Sequence, residues 1–181
     1  MGFFDQRPAQ PPPPEPARPA WLPDEAVLPG AVPETTVLAR TDDVVVALGD
    51  LHAYPNGFAF TLTVVLREPQ REGGGRFLRH FHARPLPADF LRFGLRFADG
   101  TVLTNLDPRP ADPDEEGPRL LPQGGSGGQR RHEQRYWVWP LPPSGPVDVV
   151  CEWPARGIPE TTVALDGDVV REAAGRAVTL F

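Results

Sequence analysis

The chain has no lysine, one cysteine, one methionine and two tyrosines among its 181 residues. A single cysteine, Cys151, excludes an intramolecular disulfide. Only two serines occur, Ser126 and Ser144, both set among glycines or prolines. A nucleophile elbow needs a strand before the serine and a helix after it. Neither is expected around Gly124-Gly125-Ser126-Gly127-Gly128. No apolar run approaches the ~20 residues of a membrane span. Met1 to Pro16 also lacks the basic and apolar regions of a secretory signal. A cytoplasmic protein is therefore expected.

All 18 basic residues are arginine, in a chain rich in alanine, proline and glycine. That pattern fits a GC-rich genome, so arginine frequency alone says little about function. The formal net charge of −6 argues against nucleic acid or an anionic membrane as partner, since both need a cationic surface.

What the chain has in excess is proline, 25 residues, and it is unevenly placed. Eight prolines fall in residues 1–23, including Pro11 to Pro14. Such a segment favours extended polyproline II over helix or sheet. A disordered proline-rich tail is expected over residues 1–32, with Phe3, Phe4 and Trp21 as its possible anchors. Residues 33–181 are then one domain, long enough to bury a sizeable core.

Within that domain short runs alternate with period 2, the signature of half-buried strands. Val44 to His52 leads through Tyr54-Pro55-Asn56-Gly57 into Phe58 to Arg67. Phe58, Phe60, Leu62, Val64 and Leu66 fall on one face of the second run. Asn-Gly offers positive φ cheaply, so a hairpin is expected there. Leu91, Phe93, Leu95 and Phe97 share a face opposite Arg92, Gly94 and Arg96, and Asp99-Gly100 turns that strand into Thr101 to Leu106. Phe77 and Phe81 mark a further possible strand. Residues 107–130, acidic and then glycine-rich, show no period and are expected to form a long mobile loop. Arg135–Leu141, Val147–Trp153 and Thr161–Leu165 follow as strands. Val169, Val170, Ala173, Ala174 and Ala177 make an apolar helical stripe that Asp166 or Asp168 can cap. The expectation is an all-β protein, an immunoglobulin-like β-sandwich of about eight or nine strands with a short C-terminal helix.

His80 and His82 share a face if extended, and with His52 or His132 could complete a three-histidine site for a metal-dependent hydrolase. Arg79 and Arg84 beside them would repel a cation, so no metal and no cofactor is expected. Surface or rim positions are the simpler expectation for the histidines. Cys151 falls in register with Val147, Val149 and Trp153, as a small buried hydrophobe does. The aromatic run Tyr136-Trp137-Val138-Trp139 puts bulky groups on both faces of one strand. One face belongs to the core. The other, with Trp137 and Trp139, is either covered from within the chain or meets a partner. Five arginines in residues 76–97 and three in residues 129–135 could form one positive surface if their strands are neighbours.

The stretches Phe93–Gly100, Tyr136–Pro143 and Cys151–Pro154 resemble an uncharacterised family of small all-β proteins from high-GC actinobacteria, over roughly residues 35–181. The resemblance implies a bacterial cytoplasmic setting and a single domain, and it carries no activity. The functional expectation is a non-catalytic interaction module. Tyr136, Trp137, Trp139, Arg92 and Arg96 would bind a protein partner or a second copy. The alternatives are the metal-dependent hydrolase and a small-ligand or carbohydrate binder that stacks its ligand on the tryptophans.

Overall fold

A computed structural model describes residues 18–69, 76–78, 86–106 and 117–181. The expectations placed on residues 1–17, on Gly73 to Gly75, on His80, Phe81 and His82, and on the acidic stretch 107–116 lie outside the described residues. The described chain is mostly β, with antiparallel sheets and one α-helix.

The first sheet is built on the long hairpin of β4 (Val44–Tyr54) and β5 (Gly57–Leu66). On one edge of β4 lie β2 (Gly30–Val32) and β3 (Thr36–Arg40), each pairing with a different half. On the other side β5 pairs with β9 (Arg131–Trp139), and β9 with the edge strand β8 (Arg119–Gly127). The second sheet has the order β11 (Ile158–Asp166), β10 (Pro146–Trp153), β6 (Arg92–Phe97), β7 (Val102–Thr104). A small ribbon pairs β1 (Val27–Leu28) with β12 (Val178–Thr179).

Alternation decides which side of each strand is buried. Phe58, Phe60, Leu62, Val64 and Leu66 all face the core, as do Leu91, Phe93, Leu95 and Phe97. Rings from the two sheets meet there: Phe60 lies 5.5 Å from Phe93 and 5.5 Å from Tyr136. Cys151 joins Val147, Val149 and Trp153 in the same core. Burial pushes the Cys151 thiol up, which suppresses the reactive thiolate. The helix α1 (Gly167–Gly175) packs on β2 and β4 through Val170, Ala173 and Ala174. Of the two candidate caps, Asp166 accepts from the Asp168 amide at 2.9 Å, while the Asp168 carboxylate takes the Ser144 hydroxyl at 2.7 Å.

Four expectations need correction. Residues 18–32 are not a disordered tail, because β1 and β2 are paired and Trp21 is buried. Residues 119–127 are not a loop. Ladder pairing uses backbone groups that every non-proline residue carries, so a glycine run can join an edge without a side-chain period. Residues 76–78 form a 3-10 turn rather than a strand. The β4–β5 turn sits where expected but uses Pro55-Asn56, with Tyr54 paired to Gly57 and no positive φ at Asn56 or Gly57. The positive φ lies instead at Asp50, 53°, where a bulge shifts the register. That bulge lets Leu48 and Leu51, three apart, both point inward.

Asn105 is a buried polar residue that extends the β6 ladder past the end of β7. Its Oδ1 accepts from the Phe93 amide at 2.8 Å and its Nδ2 donates to the Leu91 carbonyl at 2.9 Å. Asn105→Ala strands both backbone groups without water. The expected loss is about 1–3 kcal/mol for leaving such groups unpaired. Urea titration checks it, and an unchanged midpoint would refute the role.

Candidate functional site

The structure separates the five expected binding residues into two places. Tyr136 points into the core, 1% exposed, stacked with Phe60 and tilted toward Phe93 at 5.7 Å. Burial pushes its hydroxyl up to about 12, with Asn105 the weaker opposing influence. Tyr136 therefore stays neutral at physiological pH and cannot meet a partner in this conformation.

Trp137 and Trp139 share the outer face of β9, as the alternation implied. Trp137 is nevertheless only 1% exposed, and Trp139 is half-buried. The cover comes from the chain itself. Trp137 Nε1 donates to the Trp21 carbonyl at 2.7 Å, and the Tyr54 ring meets Trp137 edge-on at 5.4 Å. Gly57 makes the room, because a Cβ there would stand 2.6 Å from the indole. Asn56 donates to the carbonyls of Ala20 and Leu22 at 2.9 and 2.7 Å. The Arg119 guanidinium lies over the Trp21 ring, 4.8 Å from its centre. An exposed tryptophan pair, which a stacking platform for sugars requires, is not formed here.

Arg92 and Arg96 are exposed on the outer face of the second sheet. Arg96 pairs with Asp148 at 2.6 Å and Arg92 with Glu152 at 2.7 Å, both across the β6–β10 register. Between these pairs the strands carry Gly94 opposite Val150, and Thr104 lies beside Gly94 on β7. The missing side chain at Gly94 leaves a shallow cleft of about 310 Å³, also lined by Val102, Leu106 and Glu160. Val102 and Leu106 are 61% and 39% exposed, apolar groups beside paired charges.

Among the described residues the arginines of the two stretches do not merge into one basic surface. Arg92 and Arg96 lie on the second sheet, whereas Arg131 and Arg135 are on the outer side of the first. Two histidines that could have supplied a third metal ligand are likewise apart. His52 lies on the outer face of β4 beside Asp50, with Nδ1 3.1 Å from that residue's carbonyl oxygen. His132, expected at the surface or rim, is on the inner face of β9, 1% exposed and edge-on to Phe77. Among the described residues no group of three histidine, cysteine or acidic side chains could hold a metal ion. Among them too, no helix is long and apolar enough to cross a membrane.

Cover of Trp137 from within the chain was one of two expectations, but which segment supplies it, and the cleft at Gly94, were beyond sequence reasoning. The signal for the first was Trp21, one of three aromatic anchors in a proline-rich stretch. The signal for the second was Gly94 between two outward arginines. Comparison with family models, curated proteins and solved structures finds no match to the chain. The fold and its surfaces therefore define this molecule only as a mostly β protein with antiparallel sheets.

Proposed function

We propose that this is a non-catalytic protein-interaction module that pairs with a second copy of itself through the outer face of the β11-β10-β6-β7 sheet. The observation that supports it is the exposed apolar rim of Val102 and Leu106 beside two ion pairs. The face carries both signs: Arg92 and Arg96 against Asp148, Glu152 and Glu160. A mixed face can answer itself across a two-fold axis, each arginine row meeting the other copy's acidic row. A net charge of −6 speaks against nucleic acid and anionic membranes as partners.

We also read the two sheets as an immunoglobulin-like sandwich. Four successive hairpins alternate between sheets, with orders β4-β5-β9-β8 and β7-β6-β10-β11. Those orders correspond to A-B-E-D and C′-C-F-G of immunoglobulin domains, which supports the reading. A bacterial cytoplasmic setting belongs to the same proposal. The metal-dependent alternative depends on His80 and His82, outside the described residues.

Light scattering after size exclusion tests the pairing. The intact chain should run at twice the 19.8 kDa monomer mass. Val102→Asp should return it to a folded monomer, because that side chain is exposed in the single chain, and its melting temperature should no longer depend on protein concentration. A monomeric intact chain at micromolar concentration would refute self-pairing and point to a different protein partner.

A further inference from the structure

The segment Arg18–Glu25 is held less like a strand of the fold than like a bound peptide. It is a turn closed by the Leu22 amide on the Pro19 carbonyl at 3.0 Å. Arg18 staples it from within, donating to the Pro23 carbonyl and pairing with Glu25, each at 2.7 Å. The domain reads three successive carbonyls of this turn with two side chains. Asn56 takes those of Ala20 and Leu22, and Trp137 takes that of Trp21. Specificity comes from one ring, Trp21, seated under the Arg119 guanidinium. Side-chain donors on ligand carbonyls with one aromatic anchor are the means by which domains capture short peptides. None of these contacts depends on the turn being part of the same chain.

The internal occupant also fits incompletely. Trp21 is 9% exposed, yet its Nε1 is buried and meets no acceptor among the described residues. A buried donor without a partner weakens the state that contains it.

We propose that Asn56, Trp137 and Arg119 form a peptide receptor, filled internally by Arg18–Glu25. It accepts in its place a partner peptide of the same chemistry: a proline-initiated turn carrying one tryptophan. This site is separate from the Arg92–Arg96 face and stands or falls independently of it. The internal segment competes at the high effective concentration that a short tether gives.

The test uses the full chain and a fluorescent peptide of residues 18–25, followed by anisotropy. Trp21→Ala empties the site, and Arg18→Ala loosens the internal turn without touching the receptor. Both should bind the peptide about 10-fold tighter or more than the intact chain, as release of an internal competitor requires. Adding Asn56→Ala to either should abolish the gain. A folded Trp21→Ala chain that shows no binding at about 1 mM peptide, a free energy near −4 kcal/mol, would overturn the proposal. So would unfolding of Trp21→Ala together with no gain in Arg18→Ala. If, in the Val102→Asp background that removes pairing through the Arg92–Arg96 face, the peptide-binding signal instead tracked a doubling of mass in the absence of peptide, the occupant would be a second copy's segment, and the assignment to a partner peptide would fail.

Discussion

Trp137→Ala is expected to destabilise the protein by about 3–5 kcal/mol, the range for truncating a buried tryptophan. The indole is 1% exposed and packed against Tyr54, with Gly57 open beneath it. Removing it leaves a cavity that β9, pinned between β5 and β8, cannot close. It also removes the donor that holds the Trp21 carbonyl. For a chain of this size the melting temperature should fall by roughly 6–20 °C, at ~2–4 °C per kcal/mol. Circular dichroism gives the melting curve. A red shift of Trp21 emission would report release of the covering segment. Trp139→Ala should cost less, since its side chain is only half-buried and loses fewer contacts. Equal melting curves for intact chain and Trp137→Ala would mean that the outer face of β9 is not sealed as described.

Gly30→Val is the second large effect, and it acts on the helix. A Cβ at Gly30 would stand 1.9 Å from the Ala173 carbonyl oxygen, an atom of the α1 backbone. No rotamer change can relieve a clash with backbone, so α1 must move off β2 and β4. Overpacking of this kind costs ~1–3 kcal/mol, and more where the neighbour cannot yield. The displaced helix would also withdraw Val170, Ala173 and Ala174 from the core. Gly175→Ala is the matched control. Nothing lies within 4 Å of its Cβ direction, and it ends the same helix. Replacing a helical glycine by alanine stabilises by about 0.5–1 kcal/mol. Chemical denaturation should therefore move the two variants in opposite directions. A Gly30→Val chain as stable as the parent would show that helix and sheet are not in close contact.

The alternating runs of β5 and β6 could be read because strand side chains switch faces at every residue. Phe60 and Phe93 declared their faces without any knowledge of their neighbours. The cap at Asp166 and the turn at Asp99-Gly100 were equally local, since each depends on a few adjacent residues. Trp137 and Trp139 could be placed on one face but not assigned an environment. What covers Trp137 is a carbonyl 116 residues away in the chain. Arg92 and Arg96 could be put on a strand, but their acidic partners lie on β10, 60 and 52 residues on. Local alternation thus determined that β4, β5, β6, β9 and β10 are strands and which way their residues face. Only the tertiary structure decided which strands are neighbours, that β8 exists as an edge, and that one tryptophan is sealed. Those outcomes depend on contacts between distant segments, whose free energies no short window of residues contains.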